Sequence, residues 1–382
     1  IGADAFGGCK KLANVTFSGN VTSIGDSAFS ACERLTNVVL PESVTDIGVE
    51  AFLQCGRLVS VAIPGVVNIG DRAFEGCNSL TGVIIPDSVT NIGDGAFSYC
   101  NLTSVTIPDS VKHIEGNIFV GCSNLERISV DEKNENYTSV DGVLFDKNCT
   151  VLIAYPVAKK DTIYKIPKSV TTIARSAFAH NVFYSDSNLS SVTIPESVTS
   201  IGAGAFSGCN KLTSVNIPKD VTRIEDGTFS HCYSLTSIKI PEHTTSIGDS
   251  AFYCCTKLTN VKIPEHVTSI GDNAFLGCDK LTSVTIPGSV ANIGQSSFYS
   301  CSNLTSIVFN DGVKSIGENA FENCRKLIKL WLPKTVTFID YDAFSGCDNL
   351  KNVYYSGSNS DWNAITIEDG NAALENAKRT YG

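Results

Sequence analysis

The residues with the most chemical potential in this chain are its fifteen cysteines, since thiolates are strong nucleophiles and soft-metal ligands. Thirteen of them fall three residues after a phenylalanine: Cys9, Cys32, Cys55, Cys77, Cys100, Cys122, Cys209, Cys232, Cys255, Cys278, Cys301, Cys324 and Cys347. Zinc needs ligands converging from about four directions, whereas this spacing supplies one thiol per repeat, in a line. The column therefore reads as structural, because a free cysteine is a small hydrophobe suited to a tight interior corner. Cross-repeat disulfides are the alternative. Cys149 and Cys254 lie off the column and are the thiols expected to be reactive.

Other groups are weighed the same way. Asp26, Asp71, Asp94, Asp249, Asp272 and Glu318 each follow an Ile-Gly pair. Stacked oxygens could suit calcium, but one carboxylate per repeat fits the capping of a helical turn on a solvated edge better. His243 and His266 share a repeat position beside Glu242 and Glu265, as exposed polar filler or as a two-imidazole metal site; His113, His180 and His231 are scattered. The serines stand at repeat positions, and the sequence contains no nucleophile elbow, H-E-x-x-H, phosphate-binding loop or dinucleotide fingerprint. No catalytic, metal or cofactor-binding residue is assigned, no cofactor is expected, and an enzyme is not expected. Asn-x-Ser/Thr sequons at Asn14, Asn20, Asn101, Asn136, Asn148, Asn188 and Asn303 either carry glycans or arise by chance from a Ser/Thr/Asn-rich repeat.

These residues are positioned by a repeat. Phenylalanines recur at Phe6, Phe29, Phe52, Phe74, Phe97, Phe119, Phe178, Phe206, Phe229, Phe252, Phe275, Phe298, Phe321 and Phe344. Apart from the gap after Phe119 and a 28-residue step to Phe206, the spacing is 22 or 23 residues. Around each, the pattern reads A-F-x-G-C-x-x-L-T-S-V-x-I-P-x-S-V-T-x-I-G, as in Val192, Ile194, Pro195, Val198, Ile201, Gly202, Phe206, Cys209, Leu212 and Val215. The alternation in Leu281, Val284 and Ile286 predicts a half-buried strand. Proline after the isoleucine, the position of 11 of the 12 prolines, removes a backbone donor and ends it. Val and Ile of S-V-T-x-I-G form a second short extended stretch, and the glycine is expected to take positive φ at the corner. A single coil of this length cannot bury its apolar positions; stacked coils can.

The motif Ala-Phe-x-Gly-Cys-x-x-Leu-Thr-Ser-Val-x-Ile-Pro, clearest at 205 to 218 and 274 to 287, resembles the BspA-type, or Treponema pallidum-type, leucine-rich repeat over nearly the whole chain. The resemblance implies a mainly β repeat solenoid: a right-handed superhelix of parallel strands with about fourteen coils of 22–23 residues. It also implies a bacterial surface protein, with relatives in parasitic protists, associated with adhesion to host matrix proteins or to other cells.

One solenoid over 1–382 is expected, with repeat blocks at 1–130 and 167–355. Residues 131–166 break the period, and turn signals at Asp141-Gly142 and Asp146-Lys147-Asn148 predict a hairpin built into one coil. A second irregularity, 180 to 187, holds Phe183 and Tyr184. Residues 356–382 are expected to cap the last coil with Trp362, Ile365, Ile367, Leu374 and Tyr381. The chain opens on Ile1-Gly2-Ala3-Asp4-Ala5-Phe6, the back half of a repeat without an initiator Met, so a trimmed piece of a longer precursor is expected, with its first coil truncated.

The chain has 382 residues, 42% of them hydrophobic and 18% charged, enough to form a core. Its net charge of −10 argues against nucleic acid or anionic lipid as partner. Apolar runs of four or five residues are too short for a membrane-spanning helix. Outward strand positions should form the recognition surface, on the concave face. One column runs Asn14, Asn37, Ser60, Ser104, Ser191, Ser214, Ser237, Asn260, Ser283, Ser306; the next runs Thr16, Val39, Ala62, Ile84, Thr106, Thr193, Asn216, Lys239, Lys262, Thr285, Val308, Trp331, Tyr354. The second breaks pattern at a basic pair, Lys239 and Lys262, and at an apolar stripe, Val308, Trp331 and Tyr354. The alternative is that the C-terminal cap covers Trp331 and Tyr354.

The expected function is an extracellular or cell-surface adhesion module binding a protein partner, such as host matrix or another cell surface, or a glycan. A structural surface layer or filament built through solenoid ends is the runner-up. Ice binding by paired hydroxyl columns (Ser104 and Thr106, Ser283 and Thr285) is disfavoured by curvature and by the lysine and aromatic interruptions.

Overall fold

The computed structural model describes residues 1–180 and 188–382. Of the irregular segment at 180 to 187 only His180 is among them, and Phe183 and Tyr184 lie outside the described residues. The fold is a parallel-strand β-solenoid of about 15 turns with few helices. The chain divides into two compact units, Ile1–Asp161 with Ser169–Asn188, and Thr162–Lys168 with Leu189–Gly382.

In the first unit the S-V-T-x-I-G stretches form a five-stranded parallel sheet of two-residue strands, Ser23–Ile24, Asp46–Ile47, Asn68–Ile69, Asn91–Ile92 and His113–Ile114. The L-x-x-V-x-I stretches form longer strands on another face: Asn37–Val39 beside Ser60–Ala62, and Ser104–Ile107 beside Arg127–Val130. The irregular coil holds an antiparallel hairpin, Tyr137–Val140 with Val143–Asp146, turned at Asp141 and Gly142, both of positive φ. Val151–Ala154 completes it and then pairs parallel with Thr172–Ile173, which returns the chain to the repeat.

The second unit repeats the scheme. Its short strands form a seven-stranded parallel sheet from Arg223–Ile224 to Thr366–Ile367. Its longer strands include Ile163–Lys165, Ser191–Thr193, Ser214–Asn216 and Ser237–Lys239, then Ser283–Ile286, Ser306–Phe309, Lys329–Leu332, Asn352–Tyr355 and Lys378–Tyr381. In both units the Phe, Cys, Leu, Val and Ile columns make the core. The phenylalanines stack face to face along it, with ring centroids 5.2 Å apart for Phe29 and Phe52 and 5.1 Å for Phe298 and Phe321.

Three local expectations are corrected. The Ile-Gly glycine is not a positive-φ residue: Gly48 and Gly271 are needed because the preceding coil passes too close. A Cβ on Gly48 would lie 2.6 Å from the main-chain N of Asp26, and one on Gly271 2.6 Å from that of Asp249. The left-handed residues fall instead at two other places per coil, as Ser27 (φ 52°) and Ala31 (φ 55°), then Glu50 and Gln54, then Ser250 and Cys254.

The corner is consequently not a helical turn. Left-handed residues four apart keep breaking it, and alternate N–H groups turn toward the next coil. Phe29 N–H donates to Ala51 O at 2.8 Å and Ala31 N–H to Leu53 O at 2.7 Å. Left-handed φ disfavours non-glycine residues, and these cross-coil bonds are what hold them there.

The aspartates, thirdly, cap the neighbouring coil rather than their own. Asp26 Oδ1 accepts from Val49 N–H at 2.8 Å, Asp249 Oδ1 from Asp272 N–H at 2.8 Å, and Asp272 Oδ1 from Gln295 N–H at 2.7 Å.

At the C-terminal end, Asn359–Asn363 forms a short helix with a capping box between Ser358 and Asp361. It brings Trp362 edge-on to Tyr355 at 5.3 Å, beneath the Arg379 guanidinium. Trp362, Ile365 and Leu374 are buried and Ile367 is half-buried. Tyr381, expected in the cap core, is exposed, because its strand forms the free edge of the sheet.

Candidate partner-binding surface

The strands in the second unit keep strict register, which carries sequence columns into space. Val308 is paired with Trp331, Trp331 with Tyr354, and Tyr354 with Thr380. Val308, Trp331 and Tyr354 alternate with buried neighbours, so these three point out of the strand face, and Thr380 is exposed beside them. The Trp331 and Tyr354 rings stack with centroids 5.0 Å apart and planes 17° apart. Stacking along the coil direction turns ring edges outward. Neither the indole N–H nor the phenol O–H has a hydrogen-bond partner among the described residues, so both are available to a ligand. The cap does not lie over these rings: Lys378–Tyr381 joins the sheet beside them, and Trp331 and Tyr354 stay half-exposed.

Beside the stripe runs an open groove of about 430 Å³. One wall is Val308, Trp331, Tyr354 and Thr380; the floor is the buried Phe309, Leu332 and Tyr355; the other wall includes Asn310, Pro333 and Ser356. That second wall was not recognised from the sequence. Its signal was a break in the proline column, which carries Asn310 and Ser356 on either side of Pro333. Ser356 Oγ accepts from Lys334 N–H at 2.9 Å, filling a role proline leaves no room for. Both walls depart from the repeat at the same coils, and the result is a concave apolar strip with polar rims, the usual make-up of a binding site.

The basic pair is not a pair of free cations. Lys239 and Lys262 are both exposed, but Lys262 Nζ sits 2.9 Å from Glu242 Oε1 in the turn between the two coils. That hydrogen bond holds the Glu242 carboxyl below the usual range. His243 and His266 stack at 6.1 Å, both exposed. Among the described residues no three His, Cys, Asp or Glu side chains converge as metal ligands would.

All fifteen cysteines are free, and twelve of the thirteen column thiols are buried. The exception is Cys9, in the first coil. The column has a polar role that the sequence did not reveal: eleven of its thiols reach the phenylalanine carbonyl of the coil before. Cys32 donates to Phe6 O at 3.2 Å, Cys122 to Phe97 O at 3.0 Å, Cys278 to Phe252 O at 3.3 Å and Cys347 to Phe321 O at 3.2 Å. Burial pushes the Cys55 thiol up to about 12 and Cys232 and Cys278 well above their usual value, so these thiols stay protonated. Cys149 and Cys254, the off-column thiols expected to be reactive, are half-exposed, and both are raised as well, chiefly by burial. The threonine columns are also engaged: Thr236 Oγ1 donates to Thr213 O and Thr259 Oγ1 to Thr236 O, both at 3.2 Å.

The family model described as the BspA type leucine rich repeat region matches in six copies, over residues 1–67, 47–181, 158–255, 178–305 and 268–369. Among solved structures, the chain is similar to a leucine-rich repeat protein from Eubacterium ventriosum, with 28% identity, 85% of this chain and 80% of that one covered, and a TM-score of 0.63. A leucine rich cell surface protein from Faecalibacterium prausnitzii matches at 28% identity, 97% and 86% coverage and a TM-score of 0.46. A leucine-rich repeat protein from Bacteroides ovatus matches at 26% identity, 97% and 91% coverage and a TM-score of 0.45. No curated protein matches. No helix among the described residues is long and apolar enough to cross a membrane.

Proposed function

Since the chain belongs to the BspA-type leucine-rich-repeat family, we propose that it is an extracellular or cell-surface adhesion module that binds a protein partner and carries out no catalysis. A leucine-rich-repeat solenoid is typically a non-catalytic binding scaffold. The surface location rests on the family resemblance, whose members are associated with bacterial surfaces.

The single observation that carries the reading is the groove beside the Trp331–Tyr354 stack. Elsewhere on the second unit's strand face the outward residues are mostly Ser, Thr, Asn and Lys, and the threonines just ahead of the strands stitch one coil to the next. At the groove, aromatic rings with free N–H and O–H tips stand over an apolar floor, and such side chains dominate interface energetics. Val308, Trp331 and Tyr354 are the anchors, and Lys239 is a peripheral cation that can steer an acidic partner.

The test is a surface-binding screen of the full chain against extracellular-matrix proteins, cell-surface proteins and glycans. The reading expects at least one saturable protein ligand, whose binding drops at least tenfold in Trp331→Ala with Tyr354→Ala. A ligand bound equally well by that double variant would place recognition elsewhere.

A further inference from the structure

The same outward column carries a second apolar run, in the first unit, that the adhesion site does not use. Val39 is 67% exposed and Ile84 83%, with Ala62 exposed between them and Val59, 52% exposed, alongside. Val39 is paired directly with Ala62, so the three mark consecutive coils of one face. Isolated exposed apolar residues are ordinary, but an apolar run over consecutive coils of one face is a docking feature.

Charges flank the stripe asymmetrically. Lys11, Arg34 and Arg57 occupy one repeat position, ahead of Thr16, Val39 and Ala62; Glu42, Asp87 and Asp109 occupy another, just after Val39, Ile84 and Thr106, with Gly65 in that place after Ala62. All six are exposed, and none takes part in an ion pair. The neighbouring Lys10 and Glu33, by contrast, pair with each other at 2.8 Å. The face is locally neutral, three against three, on a chain of net charge −10 whose copies would otherwise repel.

We infer that this face of the first unit docks a second copy of the chain, the Val39–Ala62–Ile84 stripes meeting across a two-fold axis. An axis lying in the face and along the stripe keeps each coil opposite its own counterpart and reverses strand direction. The basic side of each copy then faces the acidic side of the other, with Arg34 and Glu42 the one such pair on a shared coil. Arg34 and Glu42, four residues either side of Val38, fall opposite each other twice. A self-complementary surface of this kind is what an isologous dimer requires, and the two Arg34–Glu42 pairings set its register and on-rate.

The test is sedimentation velocity of the full chain over a concentration series at low and high salt, with thermal melts to confirm that each variant is folded. A dimer is expected, weakening as salt rises, and weakened at least tenfold by Ile84→Glu, an exposed position whose change leaves the core untouched. Arg34→Glu and Glu42→Arg should each weaken self-association. Mixed together, the two should recover it, since every facing pair is then opposite in charge. A chain that stays monomeric throughout, or a dimer indifferent to Ile84→Glu, overturns the proposal. Failure of the mixed variants to recover association overturns the two-fold arrangement.

Discussion

The Cys55 thiol donates to the main-chain carbonyl of Phe29, 3.1 Å away in the preceding coil, while the Phe29 and Phe52 rings stack directly beside it. One small side chain thus gives a second hydrogen bond to a carbonyl that already accepts the Cys32 N–H at 3.2 Å, in a space where a larger polar group would not fit. Serine would place its oxygen on a shorter bond, and alanine would leave the carbonyl with its backbone N–H alone. We expect Cys278→Ala and Cys278→Ser each to cost about 1–3 kcal/mol, the price of one buried hydrogen bond plus a small void. Urea unfolding of each variant checks this; unchanged stability would make the thiol bond irrelevant.

Thiol accessibility follows from the same geometry. Cys9 is exposed and Cys149 and Cys254 are half-exposed, while the other twelve are buried. Titration with a thiol reagent should consume the three accessible thiols in the native state and all fifteen in denaturant. Cys149 and Cys254 should react slowly, because burial raises both. More than three fast thiols would show that the column is open.

Gly271 and Gly82 offer a matched pair. A Cβ on Gly271 would meet Asp249 Oδ1 at 2.3 Å and Asp249 N at 2.6 Å, whereas Gly82 has nothing within 4 Å. Gly271→Ala should destabilise by about 2 kcal/mol or more through forced separation of coils. Gly82→Ala should lie within about 0.5 kcal/mol of the parent, as surface substitutions do. Denaturant melts of the two variants separate close approach from chain flexibility as the reason for glycine.

His180 is buried without a hydrogen-bond partner for either ring nitrogen, and burial lowers it from 6.5 to about 4. The unfolded chain therefore binds a proton that the folded chain refuses between these values. The neutral ring's contribution is fully present above pH 6.5 and is lost as pH falls through about 4. The shift corresponds to about 3 kcal/mol of stability lost over that window. Stability measured from pH 7 to pH 4 should fall more steeply for the parent than for His180→Phe; parallel curves would remove His180 as the cause.

Much of this was legible in the sequence because packing columns repeat. Phe52, Cys55 and Leu58 recur at fixed spacing, and a fixed spacing in a stacked solenoid is a fixed place in the core. What was not legible lies between coils. Gly48 looks like a corner glycine until Asp26 is seen beside it. Asp26 looks like a cap for its own turn until Val49 N–H is found 2.8 Å away, and Lys262 looks like a free cation until Glu242 reaches it. Each depends on a residue some twenty positions distant, which local patterning does not specify. Asn310 was readable in principle, as a missing proline, but a polar residue at a turn draws no notice until Trp331 and Tyr354 stand opposite.

The central claim is that periodic residues build the scaffold and the aperiodic groove at Trp331 and Tyr354 recognises the partner. Its most direct test is the equilibrium affinity of a protein ligand for three forms: the parent, the Trp331→Ala with Tyr354→Ala variant, and a control with Thr193→Ala and Thr285→Ala in the same outward column. The account predicts a loss of at least tenfold for the groove variant and a change under about twofold for the control, as hot-spot energetics require. Equal affinities for the parent and the groove variant, or a loss confined to the threonine control, would contradict it.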